Sequence, residues 1–283
     1  MDNIADQMHT YMLHNTAALY GDNPPKGLDM SACSLSDAFV TLPVMDYMEV
    51  CDGTGMVFIA GRRVSDDKVW VRINDLIVPN ITQHAYLFEN GAERRLWHRV
   101  HMSRWYVPVD DTNSIIFGWR MFGKTIDPLV AGDESKIGWD DMDFLEGQVG
   151  NRTYEDGQRL PGDWEAISSQ RPIAIHALEN PMSCDKGVYM NRTLIRKAIR
   201  GKNPAATPEK MHERANANLP THCYTNNFVM DIPRRTAELE DSEMIRRLGR
   251  NIVDIAAEGD AYVGRKRDAF IRKRLKVLER TLQ

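Results

Sequence analysis

Between about residues 40 and 123 the apolar positions recur with the short period of extended chain. Met56-Val57-Phe58-Ile59-Ala60-Gly61 is a continuous apolar run, and Lys68-Val69-Trp70-Val71-Arg72-Ile73 alternates apolar with polar side chains, the pattern of a half-buried strand. Leu96 to Val109 and Ile115 to Phe122 flank Asp110-Asp111-Thr112-Asn113-Ser114, which reads as a hairpin loop. The aromatics on these two strands, Trp97, Trp105, Tyr106, Phe117, Trp119 and Phe122, are assigned to core or sheet-face packing. Helical spacing predicts a helix within 1–20, helices in 163–200, and helix from about 235 to 282. Arg171-Pro172 and Asn180-Pro181 interrupt the 163–200 block, because proline cannot continue the helix ladder. The stretches 124–162 and 201–220 read as loop, the first acidic and the second rich in proline. Strands followed by helices make an α+β chain. With no internal repeat, a single domain over 1–283 is expected.

Composition narrows the classes without choosing among them. The chain has 283 residues, 42% hydrophobic and 27% charged, with a formal net charge of −4. That balance is ordinary for a globular protein and gives no reason to expect nucleic acid or a membrane surface as partner. No apolar run approaches the roughly 20 residues of a membrane span. Four cysteines, Cys33, Cys51, Cys184 and Cys223, form no C-x-x-C or C-x-H pair, which fits reduced thiols and a cytoplasmic location. The basic last turns, from Arg265 to Lys276, read as a solvated helix face.

Candidate chemistry concentrates in the first fourteen residues. Asn3, Asp6, His9 and His14 lie within four helical turns, and imidazole is a frequent ligand of iron, zinc and copper. Five residues on an ideal helix span about 140° of net rotation, so His9 and His14 share no face of a regular helix. They converge only if the helix ends, bends or carries a π-bulge; otherwise they are polar residues on a frayed helix. A third ligand must come from elsewhere. The acidic knot Asp140-Asp141-x-Asp143 is one source. Asp163, after Pro161-Gly162, is the other, although Asp at that point is also a favoured helix N-cap.

Asn3-Ile4-Ala5-Asp6-Gln7-Met8-His9 with Leu13-His14 resembles the N-x-x-D-x-x-H-x-x-x-x-H motif of the catalytic domain of Rieske-type non-haem iron oxygenases. Trp105-Tyr106-Val107-Pro108-Val109-Asp110-Asp111-Thr112 resembles that family's W-x-V-P-x-D-D-T segment. Tyr154-Glu155-Asp156, Gln158-Arg159 and Pro161-Gly162-Asp163-Trp164-Glu165-Ala166 are similar to the run around the carboxylate ligand in the phthalate dioxygenase-like branch. Ser169-Gln170-Arg171-Pro172-Ile173, His176, Glu179 and Asp185-Lys186-Gly187-Val188 are similar to its downstream block. Ser168 and Arg171 depart from it, where many relatives carry Glu and Gly.

The resemblance implies a helix-grip (START-like) fold, a curved antiparallel sheet around a long helix. It implies Fe(II) held by His9, His14 and Asp163, with Asp141 as the fallback carboxylate. Asn3 would sit near the iron, and Asp6 would link it to a Rieske [2Fe–2S] cluster. Phe144, Leu145, Trp164 and Ile167 are candidates to line the pocket. The implied reaction is O2-dependent C–H hydroxylation of a small aromatic or purine substrate. Because the chain holds no cluster motif and begins two residues before the iron motif, the cluster is expected on a partner. That partner would be a Rieske-containing, NAD(P)H-linked reductase in a hetero-oligomer, as in the methylxanthine N-demethylases of bacterial caffeine pathways, which makes oxidative N-demethylation the expected activity. Aromatic ring hydroxylation or O-demethylation by the same site is the nearest alternative. A metal-free ligand-binding module of the same fold is the alternative from another class.

Overall fold

A computed structural model describes residues 2–14, 38–39, 41–86, 89–98, 100–121, 153–159, 161–203, 207–217 and 223–283. Strands β1 (Val44–Val50), β2 (Gly55–Arg63), β3 (Lys68–Ile77), β4 (Ile81–His84), β5 (Met102–Pro108) and β6 (Ser114–Arg120) pair in sequence order as an antiparallel meander. A seventh strand, β7 (Asn226–Asp231), returns to pair with β3. The long edge of β3 is thereby divided: Lys68–Ile73 bonds β7 and Asp75–Ile77 bonds β4. At the division Asp75 accepts hydrogen bonds from the amides of Tyr224 (2.9 Å) and Thr225 (2.7 Å) and from the Thr225 hydroxyl. Burial pushes its carboxyl up to about 6, against the pull of those donors.

Helices cover both faces of this sheet. On one face, Val57, Ile59, Val71, Phe228 and Met230 meet Ile245, Leu248 and Ile252 of α7 (Glu238–Glu258), and Ile271 and Leu275 of α8 (Arg265–Leu282). On the other, Tyr47, Met56, Phe58 and Leu76 meet Ile4 and Ala5 of α1 (Asp2–Ala5), and Val188 and Leu194 of α5 (Lys186–Ile199). The remaining short helices are α2 (Met8–Met12), α3 (Tyr154–Arg159), α4 (Asp163–Ser168) and α6 (Pro208–Asn216).

Several expectations change. The alternating β3 segment is not half-buried: both faces are covered, and Arg72 is buried with its neighbours. The predicted strand from Leu96 starts only at Met102, although Trp97 does enter the core. Trp105, Phe117 and Trp119 stand exposed on the outer β5–β6 hairpin, beyond the core that α7 and α8 cover, instead of packing inside. The helical patterning over 235–282 resolves into two helices, separated by a turn containing Gly259 and Gly264, and the 201–220 loop contains α6. No described helix is long and apolar enough to cross a membrane.

The approach of α7 to β2 depends on two glycines. A Cβ at Gly61 would collide with Ile245, and one at Gly249 with Ile59. Gly249→Ala should therefore destabilise the fold by about 1–3 kcal/mol through overpacking, despite the better helix propensity of alanine. Chemical denaturation with an unchanged m-value checks this, and a stabilised variant would refute it.

Candidate metal centre

The first helical segment breaks at Asp6 and Gln7 and resumes as α2. Asp6 makes the break: its Oδ1 accepts from the amides of Met8 (2.9 Å) and His9 (3.3 Å), in the manner of an N-cap. Its carbonyl meets Nδ1 of the His9 ring. A carbonyl can only accept, so Nδ1 carries the proton and Nε2 presents a lone pair.

Helix α2 stops at Met12, and Leu13 and His14 form a turn, with the Leu13 amide bonded to the His9 carbonyl at 2.7 Å. This helix end brings round the second imidazole. The rings of His9 and His14 lie 5.4 Å apart between centroids, inclined at 61°.

The carboxylate arrives from the far side of the sequence. Gly162 caps α4, and its amide donates to Glu165 at 2.8 Å. Asp163 is the first helical residue, so its side chain is not consumed as the N-cap. Asp163 Oδ1 lies 3.4 Å from His9 Nε2 and 3.2 Å from His14 Nε2, with the three side chains 11–16% exposed.

This donor set fits a metal. One ligand atom from each of the three residues lies within 4.8 Å of the others. Ligands about 2.1 Å from a metal in adjacent octahedral positions sit about 3 Å apart, close to the two distances above. Two imidazoles and one carboxylate make the facial triad of non-haem Fe(II) sites, which leaves further positions open. Burial lowers the His9 pKa below its ordinary value, and the neighbouring His14 acts in the same direction against the pull of Asp163 and Asp6. A neutral imidazole is the form that ligates.

The other site candidates fall as follows. Asn3 lies on α1. Asp141, Phe144 and Leu145 lie outside the described residues. Trp164 and Ile167 are 39% and 37% exposed, so neither is a core residue. Sequence reasoning passed over Phe39, whose ring meets His14 edge-on, Arg62, which lies over Phe39, and Thr10, whose hydroxyl accepts from Arg62. The signal for Arg62 was present: continuing the alternation Met56, Phe58, Ala60 places it on the inward face.

No family model matches the chain. It is 39% identical over 285 residues, 99% of its length, to the tert-butanol monooxygenase / tert-amyl alcohol desaturase oxygenase subunit of Aquincola tertiaricarbonis. It is 25% identical over 212 residues, 75% of its length, to phenoxybenzoate dioxygenase subunit alpha of Ectopseudomonas oleovorans. The chain covers 58% and 44% of these two proteins, and so spans about half the length of the curated relatives it matches. Both are named as oxygenase components.

Proposed function

We propose that this chain is the catalytic portion of an O2-dependent Rieske-type oxygenase, with His9, His14 and Asp163 holding Fe(II). The observation that carries this reading is the convergence of three ligand atoms, two from α2 and its end and one from α4, within 4.8 Å. When bound, iron supplies the activation of O2 needed to oxidise a C–H bond. The chain's residues set the geometry. Asp6 orients His9 through its carbonyl and caps the helix that bears it. Asp163 supplies the negative charge of the set, and Trp164 beside it borders the substrate. The sheet on α7 is read as a helix-grip domain spanning 1–283.

The proposed electron source is a Rieske [2Fe–2S] cluster served by an NAD(P)H-linked reductase, with Asp6 on the connecting side. Co-purification with a separate cluster-bearing chain tests the expected hetero-oligomer. For the substrate, the name of the 39%-identical relative favours a small tertiary alcohol. The finer expectation, oxidative N-demethylation of a methylxanthine, has no counterpart in either relative's name.

Purified chain should bind one Fe(II), and nitric oxide should then give the electron paramagnetic resonance signal of a high-spin non-haem adduct. A chain that takes up no iron overturns the reading. Supplying tert-butanol and 7-methylxanthine in parallel with an electron donor separates the two substrate classes.

A further inference from the structure

Strand β2 carries a charged side chain into the interior. Arg62 is 1% exposed, and its Nε, its Nη2 and its planar face meet different neighbours. Nη2 donates to the Thr10 hydroxyl at 3.0 Å, and that hydroxyl donates to the Gln7 carbonyl at 2.8 Å. Nε donates to the Thr41 carbonyl at 3.2 Å. The guanidinium lies over the rings of Trp70 (5.0 Å) and Phe39 (5.6 Å), within range of a cation–π attraction. Phe39 in turn meets the His14 ring edge-on at 6.1 Å.

These contacts lead from one side chain to both histidines. Thr10 follows His9 directly on α2, and Phe39 packs on His14. We propose that Arg62 is a positioning residue of the metal centre. Through Thr10 it fixes the helical turn bearing His9, and through Phe39 it fixes the ring of His14, so that both Nε2 atoms face Asp163. The proposal rests on reading these three residues as metal ligands.

Two physical arguments support it. Helix α2 has five residues, far below the length at which a helix persists without tertiary anchorage, so its orientation is set by what it is bonded to. A buried cation is also costly. Nη1 of Arg62 is buried without a hydrogen-bond partner among the described residues, and burial together with the nearby Arg72 lowers its pKa to about 9. An apolar side chain would fill the same space without that cost, but could not bond Thr10 and Thr41 while stacking on two rings. Lysine offers a point charge in place of the planar fork.

Titration of metal-free protein with Co(II), whose visible bands report ligand geometry, tests the proposal. Thr10→Val removes the hydroxyl at nearly constant shape, Thr10→Ser keeps it, and Arg62→Lys keeps the charge without the fork. Thr10→Val and Arg62→Lys should weaken Co(II) binding about 10–100-fold, the usual effect of losing an outer partner of a ligand, and should shift the bands. Thr10→Ser should bind as wild type does. In metal-free Thr10→Val, amide exchange should quicken in residues 8–14 but not in β2 and β3, which separates loss of positioning from loss of fold. Wild-type affinity and bands in Thr10→Val would overturn the role of Arg62 alone. A wild-type chain that binds no Co(II) would overturn the metal reading itself, and this inference with it.

Discussion

Asp163→Ala is expected to abolish both iron binding and turnover. The carboxylate is the anionic member of the three-residue set, and its Oδ1 lies 3.2 and 3.4 Å from the two imidazole nitrogens. Without it, two imidazole nitrogens from one short segment remain, with nothing to offset the charge of the metal. The loss should exceed the roughly 10–100-fold that accompanies removal of an outer-shell partner. His9→Ala should behave alike, because the ring whose tautomer Asp6 sets is then gone. Iron content per chain and O2 consumption with an electron donor provide the measurement. Full iron occupancy in Asp163→Ala would reject the assignment and move the search to Asp141.

The largest effect on stability is expected at Asp241. Its carboxylate takes both arms of Arg63, Nε at 3.1 Å and Nη2 at 2.5 Å, and also the Arg235 amide at 2.9 Å. Both charged side chains are 7% exposed, and Arg63 also donates from Nη1 to the Ile232 carbonyl at 2.5 Å. The pair fastens the start of α7 to the end of β2 and to the chain leaving β7. Asp241→Ala leaves the arginine buried without its counter-charge and should cost about 3–5 kcal/mol, read as a lowered denaturation midpoint. Burial raises the pKa of this carboxyl, but the bonds from Arg63 and the Arg235 amide outweigh it and leave the pKa below 3.8. A depressed carboxylate stabilises the fold above its unfolded pKa, so the contribution is present above about pH 4 and is lost as the pH falls through the folded value. Wild type should show that acid loss more steeply than Asp241→Ala, and parallel profiles would contradict the pairing.

Much of the sheet was legible because β1 to β6 pair with sequence neighbours, and local apolar runs such as Met56–Gly61 mark them. β7 was not. Asn226 and Asn227 open it, and their amides look like loop chemistry until β3 supplies the other side of the ladder. In the folded chain those amides are used: Asn227 accepts from Trp70 Nε1 at 3.1 Å, and Asn226 donates to the His98 carbonyl at 2.7 Å. The break between α7 and α8 falls at two glycines, Gly259 at the end of the first helix and Gly264 at the start of the second. The candidate site divided similarly. The histidines and Asp163 could be named from their motif resemblance, but spacing placed His9 and His14 on different faces. Only the helix end after Met12 brings them together. Arg62 continues the Met56, Phe58, Ala60 alternation, but a charged residue in a strand reads as solvent-facing unless the covering helices are known.

The division of β3 between β4 and β7 bears on the order in which the molecule assembles. The meander closes short loops, for which little chain entropy is lost, whereas β7 must return from about 150 residues away. Half of one edge of β3 therefore stays open, with Lys68–Ile73 unpaired, until the chain beyond residue 225 has been made and has found it. During synthesis that stretch is a bare β-edge of mostly apolar residues, the kind of surface that recruits other chains. For a chain of this design, slow completion of the C-terminal fifth carries a cost in aggregation that the folded protein does not display.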